Sequence, residues 1–375
     1  MEKETIHKII VGAAQNMSEL KNESIQLVVT SPPYPMIEMW DEIMSEQNPE
    51  IKSQLKKGNG HQAFELMHQE LDKVWAEVDR VLKPGGFACI NIGDATRTIN
   101  KEFSLYPNHS RIISSFQNLG IPNLPNVLWR KQTNAPNKFM GSGMLPSGAY
   151  VTLEHEWILI FRKGGKRVFK SETEKQKRRE SAFFWEERNT WFSDLWSFKG
   201  TKQKIEKSET RKRSAAYPFE LPYRLINMYS VQGDTVLDPF LGTGTTTLAA
   251  IASNRNSIGY EIDDKFQQII IENIQETPLH FFNSIFENRI HNHKSFVKQR
   301  EANPKNKRLK YYNKNIGLPV MTRQEQDILF NYLKDLSVKN SETINVKYSP
   351  KKSMQFETFK PKYQSKNKSQ TALNF

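Results

Sequence analysis

Near the N-terminus the run "LVVTSPPYPM", Leu27 to Met36, carries apolar residues straight into Ser31-Pro32-Pro33-Tyr34. Prolines cannot donate to a sheet ladder, and they bias the residue before them away from helix. The chain is therefore expected to leave a strand here in a stiff, extended conformation. Such a turn can bring the Ser31 hydroxyl, a proline carbonyl and the Tyr34 ring to one point, where hydrogen-bond acceptors stand beside an aromatic face. A bare Pro-Pro can equally mark an ordinary strand exit, and what separates the two lies about two hundred residues downstream.

"VLDPFLGTGTTTLAA", Val236 to Ala250, reads as a strand, a glycine-containing turn and a helix start. Gly242 and Gly244 let the backbone turn tightly and approach a ligand, and Thr245 to Thr247 are placed to cap the helix. The stretch is no P-loop, because the GK[ST] ending is missing, and it lacks a full GxGxxG. The next strand, "SIGYEID", carries Glu261 near its tip, where nucleoside-binding α/β sheets hold a ribose diol.

The elements around these motifs alternate. "SIQLVVT" and "FACINIG" read as strands, and "HQAFELMHQELDKVWAEVDRVL" between them as an amphipathic helix stopped by "KPGG". "NVLWR" and "EWILIFRK" are further strands. After residue 213 come a helix around "FELPYRLINMYS", the strand "DTVLDPF", the helix "TTTLAAIAS", the strand "SIGYEID" and the helix "KFQQIIIENI". This alternation predicts an α/β fold with a parallel-type sheet covered by helices. "PMIEMWDEIMSEQNPEIKSQLKK" reads as an extra helix following the Pro-Pro turn, a potential wall of a pocket.

Net charge is +13 and the pI about 9.5, which points to a polyanionic partner. Residues 166–213 hold fifteen Lys or Arg against eight Asp or Glu, interleaved with aromatics such as Trp191 and Trp196. Residues 277–375 hold nineteen basic against seven acidic residues, with "TRQEQDILFNYLKDL" as a plausible helix and a polar, disorder-prone end. The single cysteine, Cys89, rules out a disulfide framework and sits in a strand-like run as a core residue. Cys89 follows Ala88 within that run and is not placed as a nucleophile. No signal peptide and no membrane span are evident, so a cytoplasmic protein without membrane contact is expected.

A strand ending in Ser-Pro-Pro-Tyr, together with Asp-Pro-Phe-x-Gly-x-Gly and an acidic strand tip, resembles the amino-group DNA methyltransferases that use S-adenosylmethionine. The serine in the tetrapeptide is similar to the cytosine-N4 branch, and the tetrapeptide preceding the glycine motif resembles the permuted, beta-type order of type II restriction–modification methylases. "RVLKPGGFACINIGD", "NVLWRKQTNAPNKF", "TLEHEWILIFRKG" and "SAAYPFELPYRLI" follow the family's order. Two places depart from it: Gly12-Ala13 stands where Gly-Asp is common, and Arg213-Ser214 where His-Pro is common.

The resemblance implies a Rossmann-like methyltransferase fold with permuted motifs. Residues 1–165 and 214–276 would form the discontinuous catalytic and cofactor domain, 166–213 a basic insert used for target recognition, and 277–375 a basic extension that could clamp phosphates. It assigns Asp238, Phe240, Gly242 and Gly244, followed by Thr245, to the loop facing the methionine moiety, and Glu261 to the ribose hydroxyls. Asp94 is a further carboxylate at a strand tip, or an ordinary turn residue. The exocyclic amine of cytosine is a poor nucleophile because its lone pair is delocalised. Ser31 Oγ and the Pro32 carbonyl would accept its N–H bonds, the Pro32-Pro33 pair fixing their spacing, while Tyr34 stacks on a base flipped out of double-stranded DNA. No residue stands out as a general base. A cognate restriction endonuclease would be the functional partner. Adenine-N6 methylation on the same fold, an RNA or protein substrate, and an inactive nucleic-acid-binding module are the competing functions.

Overall fold

The computed structural model describes residues 3–131, 140–141, 144–200 and 217–350. Ten strands make one sheet: β1 Lys3–Val11, β2 Ile25–Thr30, β3 Leu82–Ile92, β4 Asn123–Arg130, β5 His155–Arg162, β6 Leu195–Ser197, β7 Thr235–Asp238, β8 Asn256–Glu261, β9 Asn331–Asn340 and β10 Thr343–Pro350. Their order is β6-β4-β5-β3-β2-β7-β8-β1-β10-β9. The five strands from β3 to β1 run parallel, whereas β5 is antiparallel to both neighbours and β10 and β9 close the far edge antiparallel. The sheet is therefore mixed, not purely parallel.

The helices are α1 Asp41–Gln47, α2 Pro49–Lys56, α3 Gly60–Val81, α4 Asn108–Asn118, α5 Glu172–Glu180, α6 Trp185–Trp191, α7 Glu220–Tyr229, α8 Thr245–Ala252, α9 Lys265–Glu276 and α10 Leu279–Ala302. Both faces of the sheet are covered, which is why β2 is almost continuously apolar. Ile25 and Val28 pack on one face with Met67, Leu71 and Trp75 of α3 and Phe116 of α4. Leu27 and Val29 pack on the other with residues of α7, α8 and α9. Cys89 is buried there as a core residue, its thiol pushed up by burial.

Three further expectations are corrected. The segment after the Pro-Pro turn is not one helix: a 3-10 turn at Glu38–Trp40 leads to α1, and the chain restarts as α2 at Pro49, with Asn48 capping by accepting the Glu50 N–H at 3.1 Å. Pro49 forces this break, since it disfavours helix at Asn48 and belongs at a helix start. "TRQEQDILFNYLKDL" is a 3-10 turn at Arg323–Glu325 and then β9, not a helix. Its apolar positions suit either period, and pairing with β10 along a sheet edge decides between them. Thr245 to Thr247 do not cap α8; Gly244 occupies the cap position in a left-handed conformation.

Within the basic insert, α5 lies at the edge of the sheet where the parallel strands begin: Arg167 pairs with Asp234 at 2.6 Å and Lys3 with Glu180 at 3.1 Å. Trp191 and Trp196 are core residues. The last 25 residues, expected to be disordered, lie outside the described residues. No helix among the described residues is long and apolar enough to cross a membrane.

Candidate active site

The carboxyl ends of β2, β7, β8 and β1 open into one cavity, the position where α/β sheets bind ligands. Ser31, Pro32, Pro33 and Tyr34 line it after β2; Asp238, Phe240 and Gly242 line it after β7, and Thr245 at the start of α8. Glu261 lines it at the end of β8, and Gly12 to Gln15 after β1. The two motifs meet because β2 and β7 are neighbours, with Val236 opposite Leu27 and Leu237 opposite Val28.

Two of the expected residues stand apart. Gly244 does not line the cavity; a side chain there would meet Ile270 Cγ2 at 2.9 Å, so its role is to let α9 approach. Asp94 pairs instead with His109, whose Nδ1 lies 2.7 Å from Asp94 Oδ2, and takes no part in the cavity wall.

Asp238 is buried and its two oxygens are fully engaged. Thr30 Oγ1 donates to Oδ1 at 2.6 Å and the Phe240 N–H at 3.1 Å, while Tyr217 Oη donates to Oδ2 at 3.2 Å and Thr246 Oγ1 donates to the same oxygen. Burial raises its carboxyl, and these donors work against that. Asp238 thus ties β2 to the glycine turn from inside.

Glu261 is placed differently. Its Oε2 accepts the Gly242 N–H at 2.8 Å and its Oε1 the Asp263 N–H at 3.1 Å. Burial pushes this carboxyl up to about 7, with the two backbone donors pulling the other way. Gly242 has φ +55° and nothing within 4 Å of where a Cβ would sit, which leaves open space beside the carboxylate. A cradle of this kind fits a ribose diol lying against a backbone that no side chain obstructs, so the residues suit S-adenosylmethionine.

At the mouth of the cavity Ser31 Oγ lies 3.1 Å from Tyr34 Oη, which donates to Glu156 Oε2 at 2.9 Å. Asn91 Nδ2 donates to Tyr34 Oη at 2.8 Å and to Glu156 Oε2 at 2.7 Å, and Lys131 Nζ pairs with Glu156 Oε1 at 2.8 Å. Burial, and next the Glu156 carboxylate, hold the Tyr34 phenol well above its usual range. Gly93 passes close to the ring: a Cβ there would meet Tyr34 Cε2 at 3.0 Å. Trp40, Ile43, Met44 and Gln47 of the broken helical segment form a further wall, with Glu70 of α3. Where Gly12-Ala13 departs from Gly-Asp, the polar groups are Gln15 and Glu70, joined at 3.0 Å.

Sequence reasoning missed Asn91, Glu156, Tyr217 and Thr30. Each belongs to a strand or segment that was identified, but their pairing spans sequence separations from 21 to 208 residues and leaves no local pattern.

Comparison with known proteins gives the family. The N6/N4 DNA methylase family profile, described as DNA methylase, matches residues 25–272. The type II methyltransferase M.MthZI of Methanothermobacter thermautotrophicus is 52% identical over 372 residues, covering 99% of each chain. The type II methyltransferase M.MjaI of Methanocaldococcus jannaschii is 54% identical over 281 residues, covering 72% of this chain and 91% of its own. Among solved structures, a Thermus thermophilus protein classed as a DNA modification methylase, in complex with S-adenosyl-L-methionine, superposes with a TM-score of 0.55 at 30% identity, covering 71% of this chain and 94% of its own. The chain belongs to the N6/N4 DNA methylase family, as a DNA methyltransferase that uses S-adenosylmethionine.

Proposed function

We propose that this methyltransferase acts on the exocyclic N4 of cytosine in double-stranded DNA, and that its methylation protects that DNA from a cognate restriction endonuclease in the cytoplasm. The observation that carries the choice of base is a serine, Ser31, standing at the head of the cavity that Glu261 and Gly242 also line.

When bound, the cofactor supplies a methyl group activated by its sulfonium. Ser31 Oγ and the Pro32 carbonyl accept the two N–H bonds of the amine, which draws its lone pair out of the ring, and Pro32-Pro33 hold the acceptors in place at little entropic cost. The Tyr34 ring stacks on the extruded base, its plane set by its hydroxyl contacts. Glu261 accepts the ribose hydroxyls, Gly242 leaves room for them, Phe240 and Thr245 border the methionine side, and Asp238 keeps the loop in register with β2.

In this reading residues 1–165 and 214–276 form the catalytic unit, with 277–375 as a basic extension whose β9 and β10 complete the same sheet. The insert 166–213 supplies target recognition through the part that follows β6. Ser197 pairs with Arg130, which pairs with His155, so the chain leaves β6 at the same edge as the Pro-Pro turn. The stretch beyond Gly200 lies outside the described residues.

Nucleoside mass spectrometry on DNA treated with the protein and S-adenosylmethionine, beside Ser31→Ala and Tyr34→Ala, tests the proposal. N4-methylcytosine that vanishes in both variants supports it. N6-methyladenine would move the target base and overturn the cytosine assignment.

A further inference from the structure

We propose that Glu156 orders the hydrogen bonds around Ser31 so that the serine offers the substrate amine a lone pair, and that Glu156 receives the amine's proton through Ser31 and Tyr34. The inference rests on the reading of Ser31 as the group that meets the amine.

The direction of each bond follows from the one group that can only accept. Tyr34 Oη donates its single proton to Glu156 Oε2 at 2.9 Å. One of its lone pairs takes the Asn91 Nδ2 proton at 2.8 Å. What remains for the Ser31 hydroxyl, 3.1 Å away, is to donate to Tyr34 Oη. Ser31 then has its proton turned inward; one lone pair faces Asn91 Nδ2, 3.4 Å away, and the other is left for the cavity. Without the carboxylate the chain could run the other way, with Ser31 pointing its proton at an amine that has no acceptor to offer.

The same chain carries the proton that must leave. As the amine lone pair forms the N–C bond, the S–C electron pair stays on sulfur, and the sulfonium becomes a neutral thioether. The proton on nitrogen passes to Ser31 Oγ, the Ser31 proton to Tyr34 Oη, and the Tyr34 proton to Glu156 Oε2. The products are a neutral methylated base and a neutral carboxyl group. Glu156 then returns its proton to solvent on the side of Lys131, whose half-exposed ammonium pairs with Oε1 at 2.8 Å. The titratable groups against Glu156 are Lys131 from the end of β4 and Tyr34; Tyr217 faces Tyr34 across the cavity.

Single-turnover methylation across pH is the decisive measurement, with cofactor and DNA affinities taken by calorimetry on the same proteins. Glu156→Gln should keep both affinities, lose ~10²-fold in rate, and vary less in rate with pH than the wild type. Tyr34→Phe keeps the ring and should lose a similar factor, and Tyr34→Phe/Glu156→Gln should be no slower than Tyr34→Phe alone. Glu156→Asp should recover part of the rate. Wild-type rate and profile in Glu156→Gln, or a rate loss there with Tyr34→Phe unaffected, would overturn the relay while Ser31→Ala remains inactive. A fully active Ser31→Ala would overturn the relay and the site assignment together.

Discussion

The hydroxyl of Thr30 donates to the buried carboxylate of Asp238 at 2.6 Å, across 208 residues of chain. Thr30 is the last residue of the strand that delivers Ser31, and Asp238 is the last of the strand that delivers the glycine turn. One hydrogen bond therefore sets the Pro-Pro turn against the glycine turn, on top of the β2–β7 ladder.

Replacing Thr30 by Val keeps the shape and removes that donor from a buried carboxylate. A hydrogen bond to a charged group contributes about 1.5–3 kcal/mol, and the stability of Thr30→Val should fall by that order. Urea unfolding with an unchanged m-value checks it, and the KM for the cofactor should rise in the same variant.

Cofactor binding should depend on pH through Glu261. Its carboxyl titrates at about 7 in the fold against an ordinary 4.5, so the native state holds the extra proton between those values. Its contribution to stability therefore falls as pH rises through that window, the reverse of a salt-bridged carboxylate. Ribose hydroxyls donate to the ionised form, so cofactor affinity should strengthen from pH 6 to pH 8 and binding near pH 7 should release protons. Calorimetry in buffers of different ionisation enthalpy reads both, and Glu261→Gln should flatten the dependence.

The two glycines of the turn should fail in different ways. Gly244 has φ +85° and Ile270 Cγ2 stands 2.9 Å from where a Cβ would be, so Gly244→Ala should lower the melting temperature by an amount equivalent to about 1–3 kcal/mol. Gly242, at φ +55°, has no protein atom within 4 Å of that point. Gly242→Ala carries backbone strain too, but its new methyl enters the open space beside Glu261, so the larger loss should be in cofactor affinity.

Cutting the chain after Phe330 should abolish folding rather than trim an appendage. Ile344, Val346 and Tyr348 of β10 are fully buried, and Tyr348 Oη reaches Thr5 Oγ1 at 2.9 Å and the Ile251 carbonyl at 3.0 Å. Removal would leave the backbone of β1 from Lys3 to Lys8 unpaired on that side and expose Thr5 and His7, which are buried in the intact chain. Soluble yield and circular dichroism of the truncated chain check this.

Much of the molecule was legible in the linear sequence. The Pro-Pro turn, the glycine turn and the acidic strand tip announce themselves through local backbone chemistry, because prolines, glycines and strand ends act on their immediate neighbours. Strand β2, the long helix α3 and the strand–helix pairs from β7 to α9 were legible for the same reason: burial on one or both faces leaves a period that short windows carry. From these the α/β fold and the converging motifs followed.

What only the tertiary structure decided is everything that depends on partners remote in the chain. Residues 331–340 became an edge strand because β10 was there to pair with them. Glu156 and Asn91 look like ordinary strand residues until the sheet order sets β5 beside β3 and brings both to Tyr34. Asp238, which lines the cavity, has its oxygens engaged by Thr30, Tyr217 and Thr246 because they close around it from three segments. Local sequence determines how a segment bends and which face it buries; which groups share a hydrogen bond is settled by the register of strands that meet only once the chain has folded.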